Sequence, residues 1–222
     1  MAVTGLSDLL SALARNKLDI VIGTAESAQL EFKAQPYLPW GDEAKRLEFA
    51  KDASAMANGG GGVIVIGYKT APDALAARDV VTVLTPVSTN LVDVGSYQQV
   101  LESWTYPPMR AITMKWWGLD QGRGVLTIEI PAATEAQQPV LVIRASIQGV
   151  KRSILLGHFV RTEDRASSST AAELHADIQL GRVLRRIAPG NSVALPGAPS
   201  GPTDEQRRER LEADTLNGQF GA

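Results

Sequence analysis

Residues 53–67 read ASAMANGGGGVIVIG, so that a helical pattern ends at four glycines and a β-branched run follows directly. Upstream, apolar residues recur with a helical period at Leu47, Ala50, Ala53 and Ala57. This period predicts a helix over residues 43–58 that Asn58 and Gly59 terminate. The apolar run at 63–66 predicts a strand covered on both faces, at the centre of a sheet. The stretch therefore predicts an α/β domain.

The glycine run at 59–62 shares its composition, but not its order, with a phosphate-binding loop. In such loops the chain passes from strand to glycines to helix, so that a helix N-terminus meets the anion. Here the helix comes first, and its C-terminal end carries a partial negative charge that repels phosphate. The sequence also lacks a G-x-x-x-x-G-K-[ST] motif. We interpret the run as a helix cap and a tight connection, and nucleotide hydrolysis is disfavoured.

The same periodicities predict elements on either side. Ser7 is a candidate cap for a first helix whose leucines recur at helical spacing. The segment LEFK at 30–33 alternates apolar and charged residues, which predicts a strand with Leu30 and Phe32 inward and the two charged residues outward. Residues 110–117 and 125–130 predict a β-hairpin. The other predicted elements are a helix over 98–104, strands over 80–83, 140–143 and 158–161, and a closing helix over 171–187.

Composition predicts three parts of the chain. We expect a globular domain over residues 1–188, a Gly/Pro linker over 189–203 and a short charged helix or tail over 204–222. The 222 residues, 44% of them hydrophobic, support one core and exclude a multidomain machine. The sequence has no Cys, no secretory leader pattern and no run of 18 apolar residues. A cytoplasmic location without membrane contact is expected.

Charge is unevenly distributed along the chain. The net charge is −2, but residues 144–186 hold 8 basic and 4 acidic side chains, while residues 1–143 hold 11 and 15. A local basic surface can bind phosphates on a protein that is acidic overall, and a solvated charged face is the alternative. The candidate phosphate contacts in this basic part are Arg144, Lys151, Arg152, Arg161 and Arg165.

Two further features are candidate nucleic-acid contacts. Ser168 and Thr170 precede the last predicted helix and offer donors at its positive end, although a simple helix cap has the same sequence. Trp116 and Trp117 lie on opposite faces of one predicted strand, so we expect that they are not both core residues. An exposed Trp117 beside Lys115 would suit base stacking next to a phosphate contact, and a covered second face is the alternative.

Glu26 and Glu31 are candidate ligands of a divalent cation, because paired carboxylates suit Mg²⁺ or Mn²⁺. Positions five apart on a straight strand face opposite ways, so convergence requires a turn at Ser27 and Ala28. An ordinary pair of surface acids is the alternative. The two histidines of the sequence, 17 positions apart, disfavour a histidine-rich metal site.

The segment ESAQLEFK at 26–33, followed by ASAMANGGGGVIVIG at 53–67, resembles the Schlafen AlbA_2 domain family. LTIEIP at 126–131 supports the resemblance. So does FVR at 159–161 followed by RASSST at 165–170, which is similar to that family's Y-hydrophobic-R-x-G-x-x-T ending. The similarity covers about residues 18–178.

The resemblance implies an α/β (α+β) domain, a mixed β-sheet flanked by helices, that binds DNA or RNA. The family has also been labelled a divergent AAA, ATP-binding type, and the order of the glycines gives that label no physical support here. In RNA-cleaving members three acids hold a divalent metal, and Glu26 and Glu31 match two of them. The third position departs, because Lys69 stands there and a charged lysine cannot ligate a metal. Asp73 would reach the site only by a loop rearrangement.

These observations lead to three hypotheses. The first is a nucleic-acid-binding module without catalysis or cofactor. The alternative is a Schlafen-like endonuclease, specifically an endoribonuclease, in which Glu26 and Glu31 are catalytic and hold Mg²⁺ or Mn²⁺. The second alternative is an adaptor that binds a protein partner or a second copy of itself through residues 204–214.

Overall fold

The computed structural model describes residues 5–38, 42–74, 77–148 and 151–187. The chain divides into two compact units, Met1–Gln179 and Leu180–Ala222. Within the second unit the described residues are the end of the last helix, so the predicted linker at 189–203 and tail at 204–222 lie outside the described residues. None of the helices in the described part combines the length and apolar character that a bilayer crossing requires.

The described chain alternates helices with short and long strands. The helices are α1 (Leu6–Ala14), α2 (Glu43–Asn58), α3 (Val94–Trp104) and α4 (Ala171–Ile187). The strands are β1 (Leu30–Lys33), β2 (Gly62–Ile66), β3 (Tyr68–Asp73), β4 (Arg78–Leu84), β5 (Val87–Ser88), β6 (Thr105–Tyr106), β7 (Thr113–Gly118), β8 (Arg123–Ile130), β9 (Leu141–Gln148), β10 (Lys151–Thr162) and β11 (Arg165–Ser168). This mixture confirms the predicted α+β class.

The strands form three hydrogen-bonded groups. In the main sheet β1 pairs in parallel with β2, and β8 pairs antiparallel with β2, β5 and β7. The second sheet has the order β11-β10-β9-β6, with antiparallel pairing throughout. Strands β3 and β4 form a separate two-stranded ribbon. The predicted β7–β8 hairpin is confirmed.

Strand β2 is buried between two apolar clusters, one on each face of the main sheet. Ile64 and Ile66 belong to the cluster that α2 and α3 complete. Val63 and Val65 belong to the cluster that α1 and Phe32 of β1 complete. This alternation confirms that the run at 63–66 is a central strand covered on both faces.

Helix α2 has the predicted bounds. Asp42 caps it, since its carboxylate accepts the Ala44 N–H at 2.9 Å, and Gly59 follows its last residue. Gly60 and Gly61 have φ values of 100° and 84°, which favour glycine. At Gly62 a Cβ would lie 2.8 Å from the Cα of Gln29, so only glycine lets the chain pass there. The cap-and-connection interpretation of the glycine run is confirmed.

Four expectations need correction. Helix α1 begins at Leu6 after Gly5, so Ser7 lies inside it and not at its cap. Glu31, predicted outward, is 7% exposed, because the side chains of Lys33 and of Arg161 on β10 lie against its carboxylate. Strand β3 was not predicted, since its sequence YKTAPD lacks an alternating apolar pattern and contains a proline. The strands predicted at 140–143 and 158–161 are parts of one long β9–β10 hairpin.

We expect Gly62→Ala to destabilise the protein by about 1–3 kcal/mol, because the added methyl group meets backbone atoms that cannot move independently. Urea unfolding of the variant measures the loss. Gly95→Ala is the matched control: it lies in helix α3, where an added Cβ finds ordinary contact distances. Equal stability of the two variants would contradict the close packing at Gly62.

Candidate functional site

A tight turn brings Glu26 and Glu31 together. The Ser27 N–H donates to the Leu30 carbonyl at 3.0 Å, and the Leu30 N–H donates back to the Ser27 carbonyl at 3.2 Å. The reversed chain lets the Glu26 Oε1 atom accept the N–H of Phe32 at 3.1 Å, beside the main sheet. Glu26 is 6% exposed. The turn that the sequence analysis required for convergence is therefore present.

Two positively charged side chains contact the carboxylate of Glu31. The Lys33 Nζ atom lies 2.8 Å from Glu31 Oε1, and the Arg161 guanidinium pairs with Glu31 Oε2. Arg161 is 4% exposed and also donates to two backbone carbonyls, of Ser27 at 2.9 Å and of Leu30 at 3.3 Å. The two cations compensate the buried negative charge of Glu31. In this arrangement, each contact that Arg161 makes with the described residues lies inside the fold.

Lys33 connects this pair to acids on helix α2. Its Nζ atom lies 3.4 Å from Asp52 Oδ2 and 3.8 Å from Glu48 Oε1. The buried Asp52 also accepts the hydroxyl proton of Tyr37 at 2.9 Å. Burial by itself lowers the pKa of Lys33, but the charges of Asp52 and Glu31 outweigh it and hold the pKa above its ordinary value. The ammonium group is therefore fixed in its charged form.

Within the described part of the chain, no such cation contacts Glu26. Burial and, to a smaller extent, the negative charge of Glu31 raise its pKa to about 8, although the Phe32 N–H and the more distant Arg161 oppose the shift. Glu26 is therefore mostly protonated at pH 7. A protonated carboxyl beside a paired carboxylate is a poor ligand set for Mg²⁺ or Mn²⁺.

The position that matches the third acid of the RNA-cleaving members does not complete a metal site either. Lys69 is exposed on β3, and Asp73 lies at the far end of that strand, opposite Arg78. Across the residues that the structure describes, no three His, Asp or Glu side chains are placed to hold a metal ion. The residues present, in this arrangement, do not fit a divalent cation.

The predicted basic contacts fall mainly on the β9–β10 hairpin. The register sets Lys151 opposite Gln148, Arg152 opposite Ile147, and Arg144 opposite Leu155. Residues 136–162, which include the whole hairpin, contain four Lys or Arg and no Asp or Glu. The hairpin is therefore a positively charged element on a chain whose net charge is −2.

Arg165 and Ser168 lie on β11, next to the hairpin. The Arg165 side chain is 85% exposed, and its Nε atom is 3.9 Å from the carboxylate of Asp164, a distance that contributes little in water. Ser168 is exposed and lies opposite Phe159 of β10. Arg165 therefore has the exposure that a phosphate contact needs, in contrast to Arg161.

Thr170 forms a capping box with Glu173 at the start of α4. The Thr170 hydroxyl accepts the Glu173 N–H at 3.2 Å, and the Glu173 carboxylate accepts the Thr170 N–H at 2.7 Å. These backbone and side-chain hydrogen bonds lower the pKa of Glu173. The Glu173 carboxylate thus accepts hydrogen bonds from the Thr170 donors that the sequence analysis assigned to an external anion.

The expectation that Trp116 and Trp117 are not both core residues is wrong, because each is partly buried against a different apolar cluster. Trp116 packs against the cluster on the α2 side of the main sheet, and Trp117 against the cluster on the opposite side. The Trp117 indole N–H donates to Thr127 at 3.1 Å, and the Lys115 Nζ atom lies 3.9 Å from the centre of its ring. A base would therefore stack on Trp117 only after displacing Lys115.

Asn58 is a structural anchor of the hairpin, although the sequence analysis identified it only as a helix end. Its side-chain amide donates to the carbonyls of Val140 and Phe159 at 2.9 and 2.8 Å, and its carbonyl accepts the Val140 N–H at 2.8 Å. One side chain thus joins α2 to the base of both hairpin strands. An Asn-Gly pair is typical of any helix C-terminus, so the sequence carries no signal for this role.

Comparison with known proteins gives little beyond these observations. No protein-family model and no curated protein matches the chain. One solved structure is similar: the solution NMR structure of the N-terminal domain of a protein from Nitrosomonas europaea, named as related to the ATP-dependent DNA helicase RecG. The identity is 18% and the TM-score 0.39, over 77% of this chain and 93% of that one. At this TM-score the likeness carries no argument about fold or function.

We expect Arg161→Met to lower the free energy of unfolding by about 3–5 kcal/mol, because it leaves the buried Glu31 without its guanidinium partner. Arg161→Lys should recover only part of this loss, since an ammonium group lacks the planar fork that reaches both carbonyls. Arg165→Met, at an exposed site, is the control, with a change below about 1 kcal/mol. Similar losses at positions 161 and 165, measured by urea unfolding, would contradict the buried ion pair.

Glu26→Gln should stabilise the protein increasingly as the pH rises from 5 to 8. The folded state keeps the Glu26 proton up to a pKa of about 8, while the unfolded chain releases it near 4.5, so the wild-type protein loses stability across this interval. We expect a gain of roughly 2 kcal/mol for the variant at pH 8, after allowance for solvent screening. Thermal unfolding at several pH values measures it, with the exposed Glu135→Gln as control. Parallel pH profiles of wild type and Glu26→Gln would exclude the raised pKa.

Proposed function

We propose that this chain is a nucleic-acid-binding module of the Schlafen AlbA_2 type, which binds the phosphates of DNA or RNA through the β9–β10 hairpin and β11. The observation that carries the proposal is the acid-free segment 136–162, folded as a hairpin that holds Arg144, Lys151 and Arg152. The whole chain is slightly acidic, so its attraction for a polyanion depends on such a local concentration of cations.

The charge arrangement supports phosphate binding. Each cation that neutralises a phosphate releases a condensed counterion, so affinity falls steeply with salt. In residues 1–143, acidic side chains outnumber basic ones. Some of these acids form ion pairs inside the fold, as Glu31 does with Lys33 and Arg161. The hairpin has no acids of its own to compete for its cations. Arg165 and Ser168 are exposed on β11, which pairs with the end of β10.

Lys115 and Trp117 are a second candidate contact in this proposal. The cation over the indole ring is a ready phosphate contact, and its departure would free the ring face for a base. Arg161, in contrast, has a structural role here, because its guanidinium already pairs with Glu31 and donates to two backbone carbonyls. Thr170 likewise serves the helix cap.

A metal-dependent endonuclease is the second candidate, favoured by the closeness of Glu26 and Glu31. It requires that a divalent cation displace Arg161 and Lys33 from Glu31 and a proton from Glu26. We therefore propose that the chain binds nucleic acid without cleaving it, and we assign it no cofactor. The adaptor hypothesis depends on residues 204–214, outside the described residues.

Fluorescence anisotropy with labelled DNA and RNA across a salt series tests the proposal. We expect Lys151→Gln with Arg152→Gln to weaken binding at least tenfold and to lower the slope of log affinity against log salt by about 1.8, as two lost phosphate contacts require. Arg15→Gln with Lys17→Gln is the matched control, because it removes the same charge from exposed positions on another part of the chain.

The outcomes separate the hypotheses. Equal weakening in both double variants would mean that only net charge matters, which contradicts a site on the hairpin. Probes shortened in Mg²⁺ by the wild-type protein, and left intact by Glu26→Gln, would favour the endonuclease. The absence of binding to every probe at low salt would overturn nucleic-acid binding and favour the adaptor.

A further inference from the structure

The outer part of the β9–β10 hairpin is a free two-stranded ribbon. Strand β6 pairs with β9 only at Leu141 and Val142, and β11 pairs with β10 only over residues 159–162. Between these contacts, the pairs from Ile143 opposite Leu156 to Gln148 opposite Lys151 have no third strand beside them in the described part of the chain. Six residue pairs at the usual rise per residue give a ribbon about 17 Å long.

The size of this ribbon matches one groove of nucleic acids. Two paired strands lie about 4.8 Å apart, and the major groove of B-form DNA, about 12 Å wide and about 8.5 Å deep, admits a two-stranded ribbon. The minor groove, about 6 Å wide, is too narrow for a ribbon lying flat in it. The major groove of A-form RNA is deep and too narrow to be read by side chains.

The strand alternation divides the ribbon into two chemically different sets of positions. One set consists of Arg144, Ser146, Gln148, Lys151, Ser153 and Leu155, which the register joins in opposite pairs. The other set consists of Ile143, Ala145, Ile147, Arg152, Ile154 and Leu156. Arg, Lys, Gln and Ser are the residue types that hydrogen-bond to base edges in the major groove, so the first set has the composition of a base-reading face.

The composition of the ribbon also argues against unpaired strands as the main partner. Binding of single strands depends on aromatic side chains on which bases stack. Residues 143–156 contain no Phe, Tyr or Trp. The ribbon therefore offers cations and hydrogen-bonding groups to a duplex and no stacking platform to a single strand.

The base of the ribbon is held in place on both strands. Asn58 binds the backbone of Val140, just before β9, and of Phe159 in β10. Arg161, two residues further along β10, is fixed by Glu31 and the carbonyls of Ser27 and Leu30. Such anchoring limits the conformational entropy that the ribbon loses on binding.

From these observations we infer that the partner is duplex DNA of B form and that residues 143–148 and 151–156 enter its major groove, where Gln148 reads base edges and Arg144, Lys151 and Arg152 keep their phosphate contacts. This inference rests on the proposed nucleic-acid binding and narrows it to one partner. It also adds base readout, through Gln148, to the phosphate contacts.

The test compares three probes of one sequence at one salt concentration: duplex DNA, duplex RNA and single-stranded DNA. We expect the full-length protein to bind duplex DNA at least tenfold more tightly than either of the others. Methyl green, which occupies the major groove, should displace the protein from duplex DNA, and netropsin, which occupies the minor groove, should not.

A neutral substitution tests base readout separately from charge. Gln148→Ala should weaken binding to the best duplex of a sequence panel about fivefold or more and leave the salt slope unchanged, because a base contact is lost and no phosphate contact is. Gln98→Ala, on helix α3, is the matched control and should have no effect. Circular dichroism establishes that both variants remain folded.

The failure of this inference can be distinguished from that of the proposed function. Equal or tighter binding of duplex RNA or of the single strand, or displacement by netropsin alone, would overturn the major-groove inference. The loss of affinity in Lys151→Gln with Arg152→Gln would then still support nucleic-acid binding. If none of the three probes binds at low salt, both proposals are wrong.

Discussion

The buried ion pair between Arg161 and Glu31 is the constraint on which the rest of the structure depends. Each charge is almost completely shielded from water, and either one alone would cost several kcal/mol to bury. Their pairing requires β10 of the second sheet to lie across the start of β1 in the main sheet. The two carbonyls that Arg161 also binds, at Ser27 and Leu30, fix the turn that begins β1.

This arrangement decides the chemistry of the acids around it. Because Glu31 is satisfied by Arg161 and Lys33, it acts as an internal partner and not as an open ligand. Glu26, brought close by the same turn, has no cation in contact among the described residues and keeps its proton to about pH 8. Of two carboxyl groups five residues apart, one is therefore paired with cations, and the other is desolvated beside a negative charge and holds a proton.

The acids discussed above are buried, whereas Lys115 and Arg165, which we propose as contacts, are exposed. Among the cations of the basic part, Arg161 is used inside the fold, whereas Arg165 is exposed and the outer hairpin carries basic residues with no acid in its own sequence. The Asn58 side chain, at the end of α2, holds the two strands that lead into that hairpin. The interactions that stabilise the domain thus also position the ribbon that we propose as its binding element.

The sequence by itself determined the elements with strong local signals. The apolar period over 43–58, the glycine run and the β-branched residues 63–66 predicted α2, its termination and β2, because each depends on neighbouring residues and on burial of a regular pattern. Strand β3 and the full length of the β9–β10 hairpin were not predicted, because the proline-containing YKTAPD and the polar-rich residues 144–153 give no sustained apolar pattern. These strands are defined by their pairing with the next strand along the chain. Only the tertiary structure decided which charged residues are buried. Glu31 and Arg161 are 130 positions apart, and no local pattern specifies that two opposite charges at that separation will meet and be removed from water.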